Sequence, residues 1–348
     1  MIDSEKIDRG VRKKVVELAS SLNSNIYLEF RPLTSREFFK SLRKKIEHTY
    51  ILYDELVGAV KEIRHFVHET EWILDNFYIL EGTVSDIVSS LHDYRKEVGF
   101  IPYLTEKDVF FGAISYPRIY YIASELLKVT NNKIDWSTLR VFIAEYQKKA
   151  PLSIRELSFL HTILRILLIE NAQKLIEQSI NSFDEFKEAK DWLARIEKEI
   201  KRNKNPDFSK LISSLSSEYQ LVPIDFAFYL HQHLGRYGPS ARTIVRWLKL
   251  NLAKQKVDIK DLAEIEAKQR NSNSVFIANI INSLRWLNQA RWDDFVDQTN
   301  SIDPILKKDP AGVYKQMDSK SQDFYRRAIM KMADRTGIYE SEISKIAI

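Results

Sequence analysis

"SIRELSFLHTILRILLIENAQKLIEQSI", residues 153–180, decides the fold. In its first half apolar side chains occupy most sides of a helical wheel, as in a helix packed by several neighbours at once. Ser153 and Glu156 stand at capping-box spacing, in which the hydroxyl accepts from a first-turn amide while the carboxylate reaches back to the cap. The apolar run is interrupted by His161 and Arg165 and is too short to span a bilayer. The stretch therefore predicts a central helix in an array of helices.

Composition extends this to the whole chain. Only 9 Gly and 9 Pro in 348 residues leave too few turn formers for a many-stranded protein, so the expected class is all-α. The net charge of +5 is small against 53 basic and 48 acidic residues, which makes the overall field weak and does not point to nucleic acid. With no Cys there are no disulfides, thiolate metal sites or Cys nucleophile, which suits a reducing, cytoplasmic compartment. The start, "MIDSEKIDRGVRKKVVELAS", has acids ahead of its basic residues and no continuous apolar core, so it reads as neither a signal nor a transit peptide.

Helical patterning recurs along the chain. A second capping box is expected at Thr34 and Glu37, ahead of one or two amphipathic helices through residue 66, and "ETEWILDNFYILEGTVSDIVSSLHDYRKEV" reads as another long one. Residues 99–116 are the least regular. Helices follow at 117–129 and at 136–149 with Asp135 as cap, then the central stretch, then the polar, one-sided "DEFKEAKDWLARIEKEIKRNKN", expected on the outside. "KRNKNPD" is the best internal linker, which predicts lobes at 1–203 and 207–348. Beyond it, helices are expected at 207–219, 223–235, 239–255, 259–270, 274–289 and 291–306, with no fixed-period repeat: an irregular array of helix pairs.

No familiar catalytic motif emerges. His65 and His68, beside Glu62 and Glu69, have a Glu-x-x-His spacing, but di-iron bundles need that motif twice with two further glutamates. His231 and His233 are two apart and point to different sides of a helix. Neither pair is read as a metal site. Asp293 and Asp294 sit where a helix begins and are best read as dipole-compensating acids. "QARW", Gln289 to Trp292, approaches a sugar-polymerase signature but is one residue short and on the wrong scaffold. Glycine-rich phosphate loops and nucleophile elbows do not occur. Trp72, Tyr78, Tyr116, Tyr120, Tyr121, Trp286 and Trp292 could stack on sugars, although aromatics at helical spacing are usually core. More informative are polar residues inside apolar helices: Asp75, Asn76, Arg118, Glu156, Arg165, Glu170 and Asn171. Burial makes such groups costly unless they are paired, so they predict a buried network locking helices together, or else a polar pocket.

Those residues lie in phrases that resemble a known family. "EWILDNFYILE", "YPRIYYIASELL", "IAEYQKKAPLSIRELSFLHTILRILLIEN" and "SVFIANIINSLRWLNQARWDDFVDQTNSIDPILKKDPAGVYKQMDSKSQDFYRRAI" are similar, in order, to the N-terminal cytoplasmic region of cyclic β-1,2-glucan synthases. The last phrase, "DPAGVY" before an aromatic-Arg-Arg helix, is the most specific. Two departures stand out: "MDSKSQDFYR" where the family usually reads closer to "MDFATRDRYR", and His161 where it tends to have proline. The resemblance implies a non-catalytic scaffold or regulatory region on the cytoplasmic face of the bacterial inner membrane, partnered by a membrane-embedded glycosyltransferase portion. It implies no cofactor for this chain, since UDP-glucose and a divalent metal belong to transferase residues that would lie beyond Ile348. The chain is then expected to be an excised or split portion of a synthase, or a derivative without it. An autonomous helical interaction protein and a β-glucan-binding module using the tryptophans are the alternatives.

The final cassette, "DPAGVYKQMDSKSQDFYRRAI", residues 309–329, is expected to form two helices, one with Pro310 at its first position and one capped by Asp318 and running to Gly337. In the second, Tyr325, Ala328, Ile329 and Met332 form the expected packing face. Lys320, Arg327, Lys331 and Arg335 fall on another, either a solvated face or one turned to an anionic membrane surface.

Overall fold

The computed structural model describes residues 7–22, 28–32, 36–62, 68–94, 99–104, 116–202 and 206–348. It is all-α, with helices α1 (Arg9–Ser21), α2 (Arg36–Glu62), α3 (His68–Asp75), α4 (Phe77–Tyr94), α5 (Arg118–Val129), α6 (Trp136–Tyr146), α7 (Ile154–Arg202), α8 (Ser209–Glu218), α9 (Ile224–Leu234), α10 (Arg242–Lys254), α11 (Leu262–Gln289), α12 (Trp292–Thr299), α13 (Asp303–Leu306), α14 (Ser319–Thr336) and α15 (Glu340–Ile346). One departure is a two-stranded antiparallel ribbon, β1 (Leu28–Pro32) against β2 (Phe100–Leu104), with Leu28 opposite Leu104 and Pro32 opposite Phe100. Its second strand, "FIPYL", falls in the stretch read as least regular; Phe, Ile and Tyr are strand formers, and prolines are tolerated in a two-stranded ribbon because both strands are edges.

Several helix boundaries differ from the sequence expectation. The central stretch continues without Gly or Pro into the polar segment behind it, giving one helix of 49 residues. Residues 262–289 likewise form a single helix, because the Asn and Ser residues at 271–274 are only weak helix formers and cost a few tenths of a kcal/mol each rather than a break. Conversely, the long helix expected over residues 69–98 is divided at Asn76, and the one expected at 291–306 ends at Asn300, whose side-chain oxygen accepts from the Ile302 and Asp303 amides at 3.1 and 2.8 Å. The cap at Asp135 forms as expected, accepting from the Thr138 amide at 2.7 Å. The capping box at Thr34 and Glu37 and most of the 203–206 linker lie outside what the structure describes.

The chain forms two compact units that do not follow chain order, unlike the lobes 1–203 and 207–348 expected from the linker. One comprises residues 1–48, 76–171 and 279–348, the other residues 49–75 and 172–278. In the first, α1 packs on α5 and α6, and α14 and α13 pack on α15. Its C-terminal core gathers Ile302, Leu306, Tyr314, Ile329 and Ile343. In the second, Trp192, Leu193 and Ile196 of α7 pack with Phe226 and Leu230 of α9 and Leu248 and Leu252 of α10. One face of the polar half of α7, expected on the outside, is thus core.

Candidate functional site

The capping box at the start of α7 forms as its spacing requires. The Ser153 amide donates to Glu156 Oε2 at 3.0 Å, and the Glu156 amide donates to Ser153 Oγ at 3.2 Å. The same carboxylate receives Arg118 from α5, with Nε and Nη2 donating at 2.9 and 2.6 Å, while Nη2 also reaches the Pro151 carbonyl at 3.1 Å. Both partners are buried, Arg118 at 3% and Glu156 at 1% exposure. Burial works against the charge on Arg118, but the adjacent carboxylate overrides it and holds the guanidinium ionised.

The other polar residues singled out from sequence make contacts of their own. Glu170 accepts from Lys45 Nζ at 2.8 Å and from the Tyr120 hydroxyl at 2.6 Å. Burial, reinforced by Glu170, pushes the Tyr120 hydroxyl upward and keeps it a donor. Asn171 donates to Asn132 Oδ1 at 2.7 Å, and Asn76 accepts from Arg285 at 2.6 Å. Arg165 lies 3.0 Å from His161 Nε2, which also faces the Leu287 carbonyl at 2.9 Å. Burial first, then Arg165, holds His161 down to about 4, so it is neutral at physiological pH. Asp75 is exposed at the end of α3 and joins none of these groups.

A hub that sequence reading did not identify lies in the C-terminal cassette. Arg326 donates through Nε and Nη2 to both oxygens of Asp303, at 2.9 and 2.5 Å, and through Nη1 to Asp297 at 2.6 Å and Asp323 at 3.0 Å. The Tyr314 hydroxyl donates to Asp303 Oδ1 at 2.9 Å, and Gln322 donates to the Tyr314 carbonyl at 3.1 Å. Burial alone would raise the Asp303 carboxyl, but these donors hold it below the usual carboxylate range. The conspicuous residues of "DPAGVY" and of the aromatic-Arg-Arg helix thus converge on one buried aspartate.

The cassette corrects two expectations. Residues 309–312 form a turn, with the Gly312 amide donating to the Asp309 carbonyl at 3.0 Å and Gly312 at φ 64°, followed by a single 3-10 turn at 314–316 rather than a helix starting at Pro310. The second helix is capped by Asp318 and ends at Gly337 as expected. Its packing face, however, runs through Gln322, Arg326, Ile329 and Ala333; Tyr325 and Met332 are 46% and 54% exposed. Reaching Asp303 fixes the rotation of α14. Lys320, Arg327, Lys331 and Arg335 are all exposed and have no ion-pair partner among the described residues. Phe324, 71% exposed, stands four residues after Lys320 and three before Arg327, on the same face.

Aromatic candidates divide clearly. Tyr116 and Tyr120 are buried, while Tyr78 is exposed; Trp292 is buried, donating to the Leu157 carbonyl at 2.9 Å and stacking with His161 at 4.8 Å. Trp286 lines a cavity of about 290 Å³ together with Trp136, which sequence reading passed over because it follows the Asp135 cap. The two indoles meet edge to face at 5.2 Å, and the Arg140 guanidinium lies 5.9 Å over the Trp136 ring. Gln289, Arg291, Asp294 and Gln298 complete the polar wall, with Arg291 paired to Asp294 at 3.1 Å and Arg140 donating to Gln298. An open groove of about 860 Å³ shares Arg140 and Gln298 with this cavity and continues past Gln147, Ser301 and Lys307.

Among the described residues no group of three or more His, Cys, Asp or Glu side chains is placed to hold a metal. The side chains of Glu62, His65, His68 and Glu69 lie outside the described residues. His233 faces the carbonyl of Tyr229, one turn earlier, at 2.8 Å. Among the described residues no helix is long and apolar enough to cross a membrane.

No family model matches the chain. A curated relative, the cyclic β-(1,2)-glucan synthase NdvB of Rhizobium meliloti (strain 1021), is 24% identical over 315 residues, covering 90% of this chain and 10% of the relative. The resemblance carried by the quoted phrases is therefore borne out across nearly the whole sequence, and this chain is similar to a stretch amounting to about a tenth of a cyclic β-1,2-glucan synthase.

Proposed function

We propose that this chain is a non-catalytic helical region serving β-1,2-glucan synthesis, a scaffold or regulatory element on the N-terminal side of a membrane-embedded glycosyltransferase that uses UDP-glucose. The observation that carries this reading is the proportion of the match: nearly all of this chain aligns, yet it accounts for only 10% of the relative. In this reading transfer chemistry belongs to the remainder of such a synthase, and this chain supplies rigid helical surfaces held by the Arg118–Glu156 pair and the Asp303 hub. Incubation of the chain with UDP-glucose and a divalent metal gives no glucan; robust polymer formation would overturn the proposal.

The same proposal places the chain at the cytoplasmic face of the inner membrane, with the α14 face toward anionic headgroups. Lys320, Arg327, Lys331 and Arg335, exposed beside Phe324, support it. Each such cation contributes about 1 kcal/mol near an anionic surface. Flotation with phosphatidylserine or phosphatidylglycerol vesicles, compared with neutral ones, tests this, and the pair Arg327→Glu and Lys331→Glu abolishes retention. Equal partitioning to neutral and anionic vesicles would remove this placement.

A further inference from the structure

We propose that the Trp136–Trp286 cavity is a subsite for one pyranose ring of a neutral gluco-oligosaccharide whose neighbouring residues lie in the adjoining groove. Both indoles are partly exposed at the cavity, and neither indole N–H has a hydrogen-bond partner among the described residues. That is unlike the core Trp292, whose N–H is satisfied internally. Pyranose rings present C–H faces that pack on aromatic rings, and hydroxyls that need donors and acceptors around the rim. Gln289 and Gln298 offer both, Asp294 accepts, and Arg140 Nε is buried with no hydrogen-bond partner among the described residues. The mixture suits hydroxyl groups, each of which donates once and accepts twice.

The charges argue against a phosphorylated ligand. Arg291 is neutralised by Asp294, and Arg140 is committed to Gln298 and the Trp136 ring, so among the described residues no converging unpaired cations face the cavity. Its size of about 290 Å³ fits a single ring. The groove that continues from Arg140 and Gln298 carries carboxamide, hydroxyl and charged side chains beside Ala144 and Pro304, a mixed lining suited to the hydroxyls and C–H faces of an extended sugar chain. The motif "QARW" enters here in a different capacity: Gln289 and Arg291 line the cavity while Trp292 supports it from the core.

Choosing β-1,2-linked glucose as the ligand rests on the proposed function; assigning a sugar subsite does not. Isothermal titration calorimetry of the full chain with linear β-1,2-, β-1,3- and β-1,4-gluco-oligosaccharides of equal length, and separately with UDP-glucose, tests both. Saturable binding of the β-1,2 series is expected, weakened about ten-fold or more in Trp286→Ala and in Gln298→Ala, and unaffected by Trp247→Phe in the other unit. Gln298 is exposed, so its variant remains informative should Trp286→Ala misfold, which circular dichroism reports. Absence of binding by every oligosaccharide, or binding unchanged in both cavity variants, would overturn the subsite. Cavity-dependent binding of the β-1,3 or β-1,4 series alone sustains the subsite and overturns its link to β-1,2-glucan synthesis. Stronger binding of UDP-glucose than of any oligosaccharide overturns the neutral-ligand assignment.

Discussion

Replacing Arg118 by Met removes a cation while leaving its volume largely filled, and isolates the Glu156 carboxylate in the interior. Arg118 contributes two charge-assisted hydrogen bonds to Glu156 at 2.9 and 2.6 Å, between groups 3% and 1% exposed. Removing one partner of such a pair costs about 3–5 kcal/mol, because the survivor keeps its desolvation penalty without its counter-charge. That is a large share of the roughly 5–15 kcal/mol typical of a folded domain. Glu156→Gln alone strands Arg118 in the same way. The double variant removes both charges, and the carboxamide oxygen of Gln still accepts from the Ser153 amide, so it should be more stable than either single variant. Urea denaturation followed by circular dichroism, analysed as a double-mutant cycle, measures the coupling. Lys128→Met provides the control: its pair with Glu125 is exposed and is worth at most about 0.5 kcal/mol. A loss below about 1 kcal/mol for Arg118→Met, or a double variant no more stable than the singles, would refute the argument from burial.

Tyr314→Phe strips one donor from Asp303 and costs about 1–2 kcal/mol by the same denaturation assay, while Arg326→Met costs more because the aspartate then loses its counter-charge. Glu340, buried at the start of α15 with its carboxylate accepting from the Ile154 amide at 2.9 Å, is pushed up to about 7 chiefly by burial. A carboxyl raised in the folded state binds its proton there more tightly than in the unfolded chain, so its contribution to stability falls as pH rises from about 4.5 to 7. Glu340→Gln therefore becomes about 3 kcal/mol more stable relative to the parent between pH 4.5 and 8, and a pH-independent difference in melting would contradict this. At Gly99 an added Cβ would collide with Arg155 Nε, so Gly99→Ala displaces Arg155 from its bidentate contact with Asp334 and lowers the melting temperature; an unchanged melting temperature would show that Arg155 yields freely.

The helical class was readable because it depends on composition and apolar periodicity, both local properties. The caps at Asp135, Ser153 and Asp318 were readable for the same reason: each acts on an amide three residues on. What depended on distant partners was not. Arg326 looks like one more cation in "FYRRAI", and only the arrival of Asp303 from 23 residues away makes it an interior residue and turns Tyr325 and Met332 outward. The periodicity of α14 still held a clue, since Arg326 shares a face with Gln322, Ile329 and Ala333 at helical spacings. Asp75 failed for the opposite reason: its apolar neighbours suggested burial, yet it falls at a helix end in solvent. Trp136 was hidden by its role next to a cap, and its pairing with Trp286 joins residues 150 positions apart.

The Asp303 hub also has a consequence for the order in which the chain acquires structure. Its side-chain contacts span 11 residues from Tyr314 and 23 from Arg326, whereas Arg155 and Ile154 reach Asp334 and Glu340 across 179 and 186. Short sequence separations close with little loss of chain entropy, and long ones must wait for the intervening segments. The phrase that carries the family likeness therefore encodes a locally closing cluster, whose contacts cost less chain entropy to form than its docking on the start of α7.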